Sequence, residues 1–407
     1  MYQLGFDSWY FPFALLFWLS AVAVFHTYLL YPLLLKVLAH RRPVPDPPLL
    51  ASEELPPVSV LMAVYNEDLV IEEKLQTLLA LEYPTDRLRI FVGSDRSVDE
   101  TDAICRRYAD RFSQIRFQRF EQRTGKPGII NTLFERAAKE VSHDGHLLLL
   151  TDANVFPRPD LLKLLTRHFQ NPAIALVDAH MQHTGADAGG IAASEDAYIQ
   201  REVRIKHYES VLWQQMIGPF GGCFAMRASL FEPVPTHYKV DDFYLAMSLQ
   251  ERGYRAVNDL AAICTETVGR ELSDEFRRKR RIGTGNFQNM WRFRGLWLRP
   301  WRAGGFALLS HKILRWLTPF ALLLAFVSTL FLAVSARLPF YQVALGIQVL
   351  LWGLLPLLDL LLPKLHQLWR LPRHVHYFLR MNLALLLGFY DWLRGVHDGT
   401  WEPVRRG

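Results

Sequence analysis

The chain has 407 residues, 46 Lys and Arg against 40 Asp and Glu, and a formal net charge of +6, with 50% apolar and 13% aromatic residues. That composition excludes a mainly disordered chain, because enough apolar surface is available to offset the entropy of ordering, and the length suits two or three domain-sized units. Three scattered cysteines, Cys105, Cys223 and Cys264, exclude a disulfide scaffold and point to a reducing compartment for the main body.

Apolar residues concentrate at the two ends of the chain. From Phe11 to Leu38 the first charge is Lys36, which is longer than the ~20 residues a bilayer crossing needs. Met1 to Tyr10 carries no Lys or Arg, as the start of a cleaved signal would, so residues 1–40 read as a retained anchor. His40, Arg41 and Arg42 follow, then a proline-rich linker over 41–56. Positive charge after the first span predicts that the next residues face the cytoplasm, and the setting expected is the cell inner membrane.

The middle of the chain alternates strand and helix patterns. Val58 to Val64 is a short apolar run, followed by a helical spacing of leucines that ends before Pro84. Arg89 to Val92, Ile115 to Phe120 and His146 to Leu150 read as further strands, with a helix from about Gly128 to Val141. Alternation of this kind predicts a mostly parallel sheet covered on both faces. Ligands of such sheets sit beyond the C-terminal strand ends. There the chain places Tyr65, Asn66 and Glu67, then Asp95, then Arg123 and Lys126, then Asp152 and Asn154.

Residues 273–305 are rich in Arg and Trp, including Trp291, Trp297 and Trp301, as interfacial amphipathic helices require. This basic cluster abuts a membrane segment, so the positive charge is assigned to the membrane and an anionic substrate, with no nucleic acid as partner. Within 306–407, Phe306 to Val334 and Phe340 to Leu362 are expected to span, while Tyr377 to Trp392 holds Arg380 and Asp391 and is left open between a span, a re-entrant loop and a surface helix. If that run crossed, the C-terminal ValArgArgGly would lie outside, against the positive-inside tendency. GlyThrGlyAsnPheGln at 283–288 follows a basic helical run and not a strand, so a dinucleotide loop is rejected.

Seven ordered motifs resemble the membrane-bound glycosyltransferases of family 2, the group that includes cellulose, chitin, hyaluronan and poly-N-acetylglucosamine synthases. They are ValSerValLeuMetAlaValTyrAsnGlu (58–67), GlySerAspArgSerValAspGluThr (93–101), ArgThrGlyLysProGlyIleIleAsn (123–131), ThrAspAlaAsn (151–154), GlyProPheGlyGlyCysPheAlaMetArg (218–227), ValAspAspPhe (240–243) and ArgArgLysArgArgIle (277–282). The resemblance implies an α/β fold of the GT-A type, Rossmann-like, over 57–272, inserted between N-terminal and C-terminal transmembrane helices. It implies that Tyr65, Glu67, Asp95 and Lys126 hold the base and ribose of a nucleotide sugar, a UDP-sugar in much of the family. Asp152 and Asn154 stand where the family binds ribose and Mg2+ or Mn2+. Asp242 matches the catalytic aspartate, with Asp241 as its acidic neighbour, and Arg278 and Arg281 match the basic motif near the diphosphate. Gly221, Gly222 and Cys223 correspond to the stretch that binds the glycan or lipid-linked acceptor.

The chemistry asks for the same residue types. A departing nucleoside diphosphate needs cations where its charge develops, and an acceptor hydroxyl needs a carboxylate to take its proton, a contribution of about 100- to 10,000-fold. Two positions depart from the family pattern. Asn154 replaces the second acid of AspXxxAsp, with another acid such as Glu266 to compensate, and Ile282 replaces a tryptophan that stacks on the acceptor sugar in processive synthases. Single sugar addition to a membrane lipid therefore stands beside polymer synthesis, and a transporter or a non-enzymatic nucleotide sensor are the readings from other classes.

Overall fold

A computed structural model describes residues 10–44, 46–142, 144–184, 191–267, 272–361 and 371–395. Residues 1–9, which carry no Lys or Arg, and the C-terminal ValArgArgGly lie outside the described residues. The chain divides into two compact units. One holds residues 35–271 and 291–307; the other holds 1–34, 272–290 and 308–395.

The first unit is built on an eight-stranded mixed sheet. Its strands are β1 (Val58–Val64), β2 (Leu88–Ser94), β3 (Ile115–Arg119), β4 (Leu147–Thr151), β5 (Val155–Pro157), β6 (Ile174–Thr184), β7 (Cys223–Arg227) and β8 (Arg255–Thr267), in the order β3-β2-β1-β4-β7-β6-β8-β5. β1 pairs in parallel with β2 and β4, and β2 with β3. Every residue of β1 and of β4 is buried, as expected of central parallel strands covered on both faces, which need apolar side chains pointing both ways.

Beyond β4 the parallel pattern stops. β7 runs antiparallel to both β4 and β6, while β6 pairs in parallel with β8. This reversal positions the site. Because Cys223 at the start of β7 pairs with Thr151 at the end of β4, the loop entering β7 arrives at the same sheet edge as the C-terminal ends of β1, β2 and β4. Helices fill the faces, among them Ile71–Leu79, which buries Ile71, Lys74, Leu75 and Leu78 at the i, i+3, i+4, i+7 spacing of a core-facing stripe.

The second unit holds most of Phe11–Ala39 and the whole of Pro339–Leu361, two helices long and apolar enough to cross a membrane. The first is helical throughout, with one π-helical turn at His26–Leu30. Along it Leu15, Trp18, Leu19, Val22 and Phe25 are exposed, and an apolar surface of that extent suits lipid. The run read from sequence as one span over Phe306 to Val334 is broken into Ala303–Trp316 and Thr318–Val334, bent by 62°. Pro319 at the start of the second piece explains the break, since proline lacks an N–H and crowds the preceding turn. The Tyr377 to Trp392 run lies inside a helix, Leu371–Leu393. Within this unit that helix is tied to Leu272–Arg292 by a two-pronged Arg280–Asp391 pair at 2.6 and 2.7 Å and by stacking of Phe287 on Trp392.

Candidate active site

Asp95 follows β2 directly and is fully buried. Its Oδ1 accepts the Thr124 N–H at 2.6 Å, its Oδ2 accepts Arg123 Nε at 3.0 Å, and the Gly125 N–H shares both oxygens. A buried carboxylate that accepts from two backbone donors and a guanidinium shapes the loop around it. That loop lays the Arg123 guanidinium 3.4 Å above the centre of the Tyr65 ring, a cation–π contact. The segment after β1 is laced to the one after β2: Asn66 Oδ1 accepts the Val98 N–H, Ser97 Oγ accepts the Asn66 N–H, and Thr101 Oγ1 accepts the Glu67 N–H at 2.8 Å. Asn66 sits at φ +52°, a conformation asparagine tolerates better than most residues. Tyr65, Glu67 and Asp95 thus share one rim.

Lys126 opens the Lys126–Glu140 helix, and its Nζ lies 2.7 Å from Asp152 Oδ1 and 4.0 Å from Asp241 Oδ2. Burial pulls this ammonium down, but Asp152, Asp241 and Asp242 together outweigh burial and leave it above the ordinary lysine range. One cation therefore bridges the turn after β4 and the acidic first turn of the Asp241–Glu251 helix.

The glycine loop closes the gap from the other side. The Asp152 N–H and the Thr151 hydroxyl both donate to the Gly222 carbonyl, at 3.0 and 3.1 Å. Gly221 sits at φ +91°, and a Cβ there would run into the Asp242 carboxylate. The loop is carried by Asp178 of β6, whose two oxygens both accept the Phe220 N–H at 3.1 Å while Lys206 Nζ lies 3.3 Å away. Cys223 is buried, so its side chain points into the core and only its backbone is available to a ligand. Asp242 is half-buried, and its carboxyl is raised to about 6, first by burial and then by Asp241, against the pull of Lys126.

Asp152 and Asn154 diverge. The Asp152 side chain is 39% exposed. Asn154 is buried and its Nδ2 donates to Glu266 Oε1 at 2.6 Å. Among the described residues no group of three or more His, Cys, Asp or Glu side chains is arranged to hold a metal ion. Arg278 and Arg281 lie on the Leu272–Arg292 helix, in the other unit. There Arg278 is 3.5 Å from Glu275, which also pairs with Lys279 at 3.0 Å.

Sequence reasoning missed Lys74 and the Asp178–Lys206 pair. Lys74 is completely buried, its Nζ donates to Thr151 Oγ1 at 2.8 Å and to the Val155 carbonyl, and burial lowers its ammonium to about 8. Both were detectable as charged residues inside otherwise apolar stripes, at Ile71–Leu78 and at Ile174–Ala179.

A model of the glycosyl transferase family 2 matches residues 59–234, and one of the glycosyl transferase family group 2 matches residues 147–389, more than half of the chain. A beta-monoglucosyldiacylglycerol synthase of Synechocystis sp. is 26% identical over 172 residues, covering 39% of this chain and 35% of that protein. Glucomannan 4-beta-mannosyltransferase 2 of Arabidopsis thaliana is 32% identical over 152 residues, covering 36% of this chain and 28% of that protein. The matched segments thus span about a third of the length of these relatives. Among solved structures, the mannosyltransferase PcManGT from Pyrobaculum calidifontis, in complex with GDP-Man and Mn2+, shares the fold with a TM-score of 0.66 at 22% identity, over 92% of this chain and 99% of that one. With a GT-A type α/β sheet and a family match over more than half its length, the chain belongs to the glycosyl transferase family group 2.

Proposed function

We propose that the chain is a membrane-anchored, inverting glycosyltransferase that moves a sugar from a nucleotide sugar, a UDP-sugar in the first instance, to a hydroxyl of a lipid-linked or glycan acceptor. The catalytic domain faces the cytoplasm from the inner membrane, which the positive charge after the first span supports. The observation that carries the reading is the Lys126 bridge: Asp152 on one side and the Asp241–Asp242 turn on the other belong to a single cleft, with the Gly221–Gly222 backbone between them.

In this reading Tyr65, Glu67, Asp95 and Lys126 hold the nucleoside, and Asp152 meets the diphosphate side of the donor. Residues present fit a divalent cation that arrives with the donor. Asp152 offers a partly exposed carboxylate, and Mg2+ or Mn2+ commonly binds one or two protein carboxylates and takes its remaining oxygens from phosphates and water. Asn154 contributes by holding Glu266. When bound, the ion neutralises the charge that develops on the departing diphosphate. The assignment of Arg278 and Arg281 to that diphosphate rests on the resemblance of their motif alone.

Asp242 is the general base. Its carboxylate takes the proton of the acceptor hydroxyl, the oxygen attacks the anomeric carbon, and the bond to the diphosphate breaks with its electron pair leaving on the nucleoside diphosphate. Attack opposite the leaving group inverts the centre, so an α-linked donor gives a β-linked product. Backbone of Gly221, Gly222 and Cys223 lines the acceptor side. Ile282, which lacks the flat face a stacked sugar needs, favours single addition over processive synthesis.

The test is transfer by protein purified in detergent, with UDP- and GDP-sugars, Mn2+ and a lipid acceptor, and anomeric configuration read by NMR. Asp242→Asn is expected to lose about 100- to 10,000-fold in turnover while nucleotide binding is retained. Undiminished transfer by that variant, or a product that keeps the donor configuration, would refute the reading. A product ladder in place of one band would overturn single addition.

A further inference from the structure

Lys74 is a cation that the fold buries without a contacting acid. It occupies the core-facing stripe of the Ile71–Leu79 helix, is completely buried, and among the described residues forms no ion pair with a carboxylate, Asp152 acting on it only from beyond contact distance. Removing an ammonium from water without such a partner is costly, and an apolar residue would fill this stripe at lower cost. What the ammonium does make is two hydrogen bonds, to Thr151 Oγ1 and to the Val155 carbonyl. These are the residues at the two ends of the turn that carries Asp152, Ala153 and Asn154 between β4 and β5.

The chain of bonds continues past Thr151. Its hydroxyl accepts from Lys74 and donates to the Gly222 carbonyl, the same carbonyl that accepts the Asp152 N–H. Gly222 follows Gly221, whose backbone abuts the Asp242 carboxylate. A single buried cation thus grips the Asp152 turn at both ends and, through one hydroxyl, holds the loop that sets the position of Asp242. Cooperative chains of this kind are stiffer than their separate bonds.

We propose that Lys74 is a positioning residue that fixes the separation between the donor-side turn at Asp152 and the base-side loop at Gly221–Gly222. It acts through Thr151 and touches no substrate. The kinetic consequence rests on the function proposed above; the structural one does not.

Two variants of the full-length protein in detergent test this. Lys74→Met keeps the length and the apolar packing and removes the ammonium, and Thr151→Val keeps the shape and removes the hydroxyl. Hydrogen–deuterium exchange is read at the Asp152 and Val155 amides, which donate to Gly222 and to Asp152 respectively, and KM for donor and acceptor is measured with UDP- and GDP-sugars and Mn2+. Each variant is expected to exchange these two amides about tenfold faster than wild type, with β1 amides unchanged. Donor KM is expected to rise about tenfold with acceptor KM unchanged, and the double variant should be no worse than Lys74→Met. A merely structural lysine predicts fewer active molecules with normal KM and normal exchange at the turn, and that result overturns the inference. Should Lys74→Met fail to fold, Thr151→Val decides by the same measures. A wild-type protein that turns over no nucleotide sugar refutes the proposed function, while the exchange measurement still decides Lys74.

Discussion

Substituting Gly221 by alanine separates the cost of folding from the cost of catalysis. Gly221 sits at φ +91°, a region where a Cβ meets the backbone, and forcing alanine there costs about 1–2 kcal/mol. The new methyl would also lie inside van der Waals contact of Asp242 Oδ2, so the carboxylate or the loop must shift by about 1 Å to restore an ordinary separation. A displacement of that size at a reacting group costs about 100-fold in rate. Gly253→Ala provides the contrast. It sits at φ +87° with nothing within 4 Å of where a Cβ would stand, so it should lose a similar amount of stability, about 1–2 kcal/mol, and keep its turnover. Thermal unfolding and kcat measured side by side on both variants decide the matter. If Gly221→Ala loses stability as expected but turns over donor at the wild-type rate, the Asp242 carboxylate is not where the proton is taken, and the geometry of the base has been misread.

The pH profile follows from the Asp242 carboxyl, held near 6 by burial and Asp241. As a base it must be ionised, so kcat/KM should rise through about pH 6 and flatten above it, and a profile flat between 5 and 7 would count against the assignment. The stability consequence has the opposite sense. A carboxyl raised from 3.8 to about 6 on folding costs stability progressively as pH rises between those values and in full above the upper one, so Asp242→Asn should unfold at a higher temperature than wild type above pH 6, with the advantage disappearing as pH falls toward 4. Asn154→Asp would place a second carboxylate 2.6 Å from Glu266 Oε1. It is expected to destabilise the protein by about 2 kcal/mol or more at neutral pH, with stability recovered on acidification as one of the pair is protonated; a gain in metal affinity with no loss of stability would show that the side chain turns outward instead.

The legible part of the fold is the part whose residues answer to one local requirement. β1 and β4 are buried on both faces, and their continuous apolar runs announce this before any partner is known. β8 is different. It carries Asp259 and Glu266, both buried, because Asp259 accepts from Arg167 and His168 and Glu266 from Asn154. Partners about 90 to 112 residues away satisfy those groups, and no window of sequence contains them. The reversal at β7 is illegible for the same reason, since strand direction depends on where the intervening chain returns. Gly283 shows the limit from another side. Its motif invites a dinucleotide loop that the absence of a preceding strand already rejects, and it sits where the Leu272–Arg292 helix meets Gly388 of the Leu371–Leu393 helix, where a Cβ at Gly388 would fall 2.7 Å from the Arg280 carbonyl and 2.8 Å from Thr284 N. The glycines serve close helix packing, a use that composition alone does not distinguish from ligand binding.

Residue types at the strand ends were readable one at a time, but their electrostatic balance was not. Asp152, Asp241 and Asp242 carry three negative charges when ionised and surround one ammonium, that of Lys126. Asp95 is already neutralised by Arg123, and Asp178 by Lys206. On the proposed function a nucleotide sugar would bring a diphosphate into this cleft, where the acids already outnumber the cation. Repulsion of that kind costs most where water is excluded, and it would also hold Asp242 protonated, the wrong state for a base. A divalent cation arriving with the diphosphate would relieve both difficulties together: it would offset the excess negative charge beside Asp152 and thereby favour ionisation of Asp242 at the moment the acceptor is in place.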